Sequence, residues 1–333
     1  MTTSTSLVAP HLQAFFTDHL AQHKRASPQT VASCRDTFRL LLRFVQETKH
    51  IEPSSLCLTE LDVPMILTFL DYLEHQRGNT VRSRNIRLST IRGFFRFVAL
   101  RDPERVELVT RILAIPVKRQ DKTLIGYLTR EEMEALLAAA DRSKWVGRRD
   151  YALLLTMYNS GARVSEMTAL RCEQVVFGAS TFLQLHGKGR KDRTIPLWPQ
   201  TSRVLKDWFW ELGEDRRQRA FPNAQRQPLS RHGVNYLLQQ AVQKTMASCP
   251  SLQSKTVTPH VIRHTTAMAL LQAGVDIATI ALWLGHESIE TTHVYLEADL
   301  EMKERALQKL TPIGDQGARY IADDPLLIFL SSL

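Results

Sequence analysis

The stretch TPHVIRHTTAMALLQAG, residues 258–274, anchors the reading of this chain. Thr258-Pro259 is a helix start, a capping hydroxyl followed by a residue whose φ is already helical, and Gly274 is a stop. His260 and Arg263 are three apart in the first turn and therefore share a face. Helix starts attract anions, because unpaired N–H groups and the helix dipole point there. A basic pair at such a place asks which anion it serves.

The neighbouring segments repeat the theme. Asp276 starts a second helix that Gly285 stops, and His286 follows directly. Ser288 then starts the short helix of ETTHVYLEADL, residues 290–300, which carries Tyr295. Upstream, a helix around 149–159 ends at Ser160-Gly161, with Arg163 just beyond in SGARVSEMTAL. Between them lie strand-like runs, QVVF (174–177), TFLQLH (181–186) and TIPL (194–197). GKGRKDR (187–193) reads as the hairpin turn joining the last two, and it carries Lys188.

Each of these residues has a plain reading when taken alone. Tyr295 at helical spacing is a packing ring, Arg163 a surface cation, Lys188 one of several solvated charges, and His264 a helix-packing side chain. Together they form a set that handles phosphate. Two arginines can hold the nonbridging oxygens of a phosphodiester with planar forks that stay protonated. Histidine and lysine can move protons, and a tyrosine hydroxyl can attack phosphorus and hold it covalently. Guanidinium groups then supply the charge stabilisation that a metal would otherwise give.

Bulk properties agree with a polyanionic partner. The 333 residues carry a net charge of +9, which favours nucleic acid over a membrane surface. Residues 1–120 hold 17 Lys+Arg against 11 Asp+Glu, so +6 of the total lies in about a third of the chain. Cys34, Cys57, Cys172 and Cys249 have no zinc-ligand spacing and read as reduced thiols in a cytoplasmic protein. No signal-peptide pattern opens the sequence, and no apolar run reaches a membrane span of ~18 residues.

The first third reads as helices. Ser27-Pro28 starts one whose Val31, Cys34, Phe38, Leu41 and Val45 recur at gaps of three and four, with Arg35, Arg39 and Arg43 on another face. A second spans about 59–76. A third, 79–99, has an apolar stripe of Val81, Leu88, Ile91, Phe95 and Val98. Its other stripe, Arg82, Asn85, Ser89, Arg92 and Arg96, offers donors without an acid, which suits a row of phosphates. The two prolines and mixed charge of 101–126 read as a linker, and Thr129 with Glu132 makes a capping box that restarts the chain.

SGARVSEMTAL, LHGKGRKDRTIPL, TPHVIRHTTAMALLQAG and IALWLGHESIETTHVY, in this order, resemble the tyrosine recombinases, also called the phage integrase family. The resemblance is sharp over 126–310 and weaker over 10–100, which looks like the family's helical core-binding domain. It implies a mainly α fold with a small antiparallel sheet: a SAM-like helical domain at 1–105, a linker at 106–125, a mixed α/β catalytic domain at 126–311 and a tail at 312–333. The family's two arginines map onto Arg163 and Arg263, which would hold the scissile phosphate. Lys188 would protonate the leaving 5′ oxygen, with Lys191 the alternative if the hairpin register differs. His260 would assist proton transfer from the tyrosine hydroxyl, and His286 would donate to the phosphate. Glu166 would orient its neighbours, and Tyr295 would be the nucleophile.

Two features depart from the family pattern. Many members carry a histidine two residues past the tyrosine, where this chain has Glu297, while His293 stands two residues before it. The tail is longer than the minimal pattern, and its apolar PLLIFLSSL would suit docking on a neighbouring protomer or packing in cis.

The reading that follows is a metal-independent DNA strand-transferase that serves a mobile element and needs no cofactor. Its partners would be double-stranded DNA, three further copies in a synaptic tetramer, and accessory factors or sister recombinases. The same chemistry serves type IB topoisomerases and recombinases that resolve chromosome dimers. The compact front domain and the spacing from Leu-Gly-His to the tyrosine favour a recombinase. A DNA-binding accessory protein with a dead site is the remaining reading, and the full set of matched positions argues against it.

Overall fold

Helix caps divide this chain as much as its apolar runs do. The computed structural model describes residues 6–119, 126–187, 192–286 and 288–298. The chain forms two compact units, Met1–Lys122 and Thr123–Leu333.

In the first unit, α1 (Val8–Ala14) continues as a π-helical run to His23, followed by α2 (Pro28–Lys49), α3 (Val63–His75), α4 (Val81–Arg101) and α5 (Val106–Leu113). The Ser27 hydroxyl accepts the Thr30 amide at 3.2 Å, a cap typically worth ~1 kcal/mol. Cys34, Phe38, Leu41 and Val45 of α2 are buried, as are Leu88, Ile91, Phe95 and Val98 of α4. Phe15 meets Phe94 edge-on at 5.6 Å, and Phe38 meets Phe94 at 5.2 Å, so aromatic packing centres this core.

Two expectations change here. Residues 106–113, placed in the linker, are a helix whose Val109 and Ile112 are buried in the first unit. Eight residues give barely two turns of amphipathic pattern, too few to stand out beside the prolines at 103 and 116. The donor stripe of α4 is also partly occupied. Asn85 exchanges two hydrogen bonds with the Lys118 backbone, at 2.8 and 3.2 Å, and Arg92 donates to the Ile115 carbonyl. Those two side chains hold the segment after α5 against α4, while Arg82, Ser89 and Arg96 stay exposed.

The second unit begins with the expected capping box. The Thr129 hydroxyl accepts the Glu132 amide, and the Glu132 carboxylate accepts the Thr129 amide at 2.8 Å. Helices α6 (Arg130–Ala138), α7 (Trp145–Ser160) and α8 (Val164–Ala169) precede the strands β1 (Val175–Val176), β2 (Phe182–His186) and β3 (Asp192–Pro196). The sheet is antiparallel in the order β1-β2-β3, with Leu183 opposite Ile195 and Leu185 opposite Arg193. Then come α9 (Pro199–Leu212), α10 (Arg231–Thr245), α11 (Pro259–Gln272), α12 (Ile277–Leu284) and α13 (Glu290–Ala298).

The stop signals of the sequence are left-handed glycines. Gly161 (φ +60°) ends α7, and Gly285 (φ +67°) ends α12. Among the described residues no helix is long and apolar enough to cross a membrane. The hairpin tip 188–191 and the tail 312–333 lie outside the described residues, so Lys188, Lys191 and PLLIFLSSL have no structural account.

Candidate active site

The site assembles around the C-terminal end of α12. Three successive carbonyls there each receive one guanidinium from a different element. Trp283 O accepts Arg193 Nε at 3.0 Å, Leu284 O accepts Arg263 Nη2 at 2.8 Å, and Gly285 O accepts Arg163 Nη2 at 3.0 Å. Carbonyls at a helix C-terminus lack intrahelical partners and carry the negative end of the dipole, so cations are favoured there.

Arg163 comes from the N-terminus of α8, where its amide is capped by the Glu166 carboxylate at 2.8 Å. Its Nη1 reaches the same carboxylate at 3.2 Å. Arg263, from the first turn and a half of α11, is only 4% exposed and also donates to Gly161 O at 2.7 Å. Each arginine thus rests on the carbonyl of a left-handed glycine. Burial, and then the charge of Arg163, push the Arg263 pKa down to about 10, which leaves it protonated at neutral pH. Glu166 is buried; burial pushes its carboxyl up, but Arg193 and Arg163 outweigh this and hold it below the usual range. Three guanidinium groups and one carboxylate leave this part of the site at +2.

Tyr295 projects inward from α13 and is 1% exposed, packed with Met268, Leu271, Ile280 and Leu284. Its hydroxyl lies 2.9 Å from His264 Nδ1, and its ring stacks on His286 at 6.3 Å and 11°. His286 Nδ1 pairs with the buried Thr292 hydroxyl at 2.7 Å, which fixes the ring. Burial lowers both histidine pKa values to about 4, helped by His260 and Arg263 for His264 and by Arg263 and Arg163 for His286. Both imidazoles are therefore neutral at pH 7, and in the tautomer protonated at Nε2 His264 accepts the tyrosine hydrogen bond at Nδ1. Burial raises the Tyr295 pKa, partly offset by Arg263 and Arg163.

Arg163, Glu166, Arg263, His286 and Tyr295 are thus brought together. The histidine on the tyrosine hydroxyl is His264 and not His260, which stands exposed in the first turn of α11. One turn further along the same helix, His264 reaches the level of α13. Sequence alone marks His264 only as a helix-packing side chain and does not single out Thr292 or Arg193. Arg35, Arg39, Arg43, Arg82 and Arg96 are exposed in the first unit, with Arg35 paired to Asp36 at 3.0 Å. His293 is exposed, and the Glu297 side chain lies outside the described residues. No cluster of acidic, histidine or cysteine side chains suited to a metal occurs among the described residues.

The family model described as "Phage integrase family" matches residues 126–302, and that of the "Phage integrase, N-terminal SAM-like domain" matches 14–102. The chain belongs to the phage integrase family. It is thus a tyrosine recombinase, an enzyme that transfers DNA strands.

The family member y4rC of Sinorhizobium fredii, named as a candidate integrase/recombinase, is 50% identical over 333 residues and matched over the whole of both chains. Tyrosine recombinase XerC of Chlamydia caviae is 30% identical over 312 residues, covering 89% of this chain and 97% of the other. Among solved structures, the Tn1549 transposon integrase in complex with a circular intermediate DNA shares the fold. It gives a TM-score of 0.69 at 16% identity over 92% of this chain and 100% of the other.

Proposed function

We propose that this recombinase is site-specific and acts on double-stranded DNA for a mobile genetic element, with Tyr295 as nucleophile. The observation that carries the reading is the convergence of Arg163, Arg263, His286 and Tyr295 at the end of α12, a site of net positive charge with a hydroxyl at its base. A phosphodiester held by Arg163 and Arg263 gains charge as phosphorus becomes five-coordinate, and the +2 of the guanidinium cluster matches that gain.

The Tyr295 oxygen attacks phosphorus and the bond to the 5′ oxygen breaks, leaving a 3′-phosphotyrosine and a 5′-hydroxyl. The tyrosine proton passes to an imidazole; His264, at 2.9 Å, is the nearest acceptor, and His260 stands one turn away. Lys188 supplies the proton of the leaving oxygen, and His286 donates to the phosphate. Because the phosphotyrosine keeps the bond energy, a second 5′-hydroxyl can reverse the step and join a new strand. Neither a metal nor a nucleotide enters this sequence of steps.

The 1% exposure of Tyr295 implies that α13 shifts before attack. Exposed Arg35, Arg39, Arg43, Arg82 and Arg96 of the helical unit would take the backbone phosphates, with the catalytic unit beginning near residue 126. Four protomers would pair two duplexes, the second pair of strands exchanging after the first. The Tn1549 integrase was solved with DNA, which supports duplex DNA as the partner here.

A pool of randomised duplexes, each nicked to release the leaving strand, tests the reading. Wild-type protein should accumulate detergent-resistant protein–DNA complexes enriched for one sequence, and Arg163→Ala should bind the selected duplex yet trap little of it. Trapping without sequence enrichment, together with relaxation of a plasmid lacking any selected site, would favour a topoisomerase instead.

A further inference from the structure

Arg193 lies outside the expected catalytic set, yet it is the most fully engaged cation in the site. Its side chain is 9% exposed. Nη1 and Nη2 meet the two oxygens of Glu166 at 2.9 and 2.8 Å, the parallel two-bond geometry of the strongest arginine–carboxylate pairs. Nε meets Trp283 O at 3.0 Å, beside the carbonyls that hold Arg263 and Arg163. Arg163 reaches Glu166 by one longer side-chain bond of 3.2 Å. Glu166 therefore belongs chiefly to Arg193, and Arg163 is the lesser claimant.

We propose that Arg193 is a positioning residue for strand transfer: it occupies the Glu166 carboxylate so that the fork of Arg163 stays available to the scissile phosphate. This role rests on the phosphate binding by Arg163 proposed above. A buried carboxylate with one cation removed turns to the other, because an unpaired buried charge costs several kcal/mol. With Arg193 absent, Glu166 would draw Arg163 into the two-bond geometry and away from the phosphate.

A simpler view makes the Arg193–Glu166 pair an ordinary structural ion pair. Such pairs stabilise little relative to apolar replacements. The two views differ in one measurable way. A positioning residue that acts through Glu166 has nothing to do once Glu166 is neutral, whereas a structural residue is needed in either background.

The test compares R193M in two backgrounds, wild type and E166Q, reading the rate of covalent trapping on the selected nicked duplex at saturating protein. In the wild-type background R193M should slow trapping roughly 10–100-fold, as loss of an orienting partner usually does. In the E166Q background the same change should cost less than about fivefold, since the two sites are coupled. An equal loss in both backgrounds would overturn the proposal. So would unimpaired trapping by R193M. Should R193M alone fold poorly, the pair E166Q and E166Q/R193M still decides, because neither leaves the buried carboxylate without its partner: a loss above about fivefold between them refutes the role. Failure of wild-type protein to trap DNA would instead refute the proposed function on which this rests.

Discussion

The hydroxyl of Tyr295 is hydrogen-bonded to Nδ1 of His264 at 2.9 Å, beneath a surface that leaves the tyrosine 1% exposed. The same residue is thus both a core ring and a poised hydroxyl. A neutral imidazole protonated at Nε2 can take the phenolic proton at Nδ1, and burial holds that proton on the tyrosine until then by raising its pKa. A phosphate anion against Arg263 would offset part of the charge that, after burial, depresses His264, and so make it a better base as substrate arrives.

The depressed histidines set an acid limit on stability. His264 and His286 titrate near 4 in the folded chain and near 6.5 when unfolded. Between those values the unfolded chain binds protons that the native chain refuses, so stability is full above pH 6.5 and falls as pH drops toward 4. The urea midpoint of the wild type should fall across that window, and His264→Asn should lose up to about one proton's worth of the slope. Parallel pH curves for the two proteins would contradict this.

Glycines at the two helix ends are as critical as the arginines they support. A Cβ on Gly285 would come within 3.0 Å of Arg193 Nη1, and one on Gly161 within 2.6 Å of Leu284 Cδ2. Both positions are left-handed, where a side chain costs roughly 1–3 kcal/mol before any clash. Gly161→Ala should lower the melting temperature by several degrees and weaken trapping, since Gly161 O holds Arg263. Gly285→Ala should impair trapping more than stability, because Arg193 and Arg163 both lean on that turn. Wild-type trapping by Gly285→Ala would count against the carbonyl platform.

The α4 arginines should separate by function. Arg82→Ala and Arg96→Ala should weaken binding to all duplexes alike and reduce the salt dependence by about one counterion each, with unfolding unchanged. Arg92→Ala should lower the stability of the helical unit, because its guanidinium holds the Ile115 carbonyl. Affinity and denaturation measured on the three variants would show the split; equal behaviour of all three would refute it.

Much of this was legible in the sequence, and the exceptions have physical causes. Caps at Ser27, Thr129, Thr258 and Asp276 all accept the amides that their positions predict. Glycine stops at 161, 274 and 285 are all left-handed. Arg193 was hidden among the cations of GKGRKDR, which read as a solvated turn. Its spacing held a usable signal: Arg193 and the buried Ile195 are two apart in β3 and so share a face, and Leu185 opposite is buried. An arginine on the core side of a strand must have a partner. His264 reads as a helix-packing side chain because its neighbour His260 fits the motif better, although the helical period places both on one side. The bond from Arg92 to the Ile115 carbonyl is not legible, since that partner arrives from a segment more than twenty residues away.

Catalysis should depend on the arginine fork and not only on its charge. Arg163→Lys keeps the cation but cannot bond Glu166, Gly285 O and a phosphate in one plane. It should trap DNA at least ~10-fold more slowly than wild type while binding it normally. Full activity in Arg163→Lys would reduce its role to electrostatics.

The central claim is that the Tyr295 oxygen becomes the link to DNA. Digesting the trapped complex with protease and nuclease, then sequencing the nucleotide-bearing peptide by mass spectrometry, tests it most directly. The expected result is a 3′-phosphoryl nucleotide on Tyr295 and no complex from Tyr295→Phe. A nucleotide on any other residue, or a complex formed by Tyr295→Phe, would contradict it.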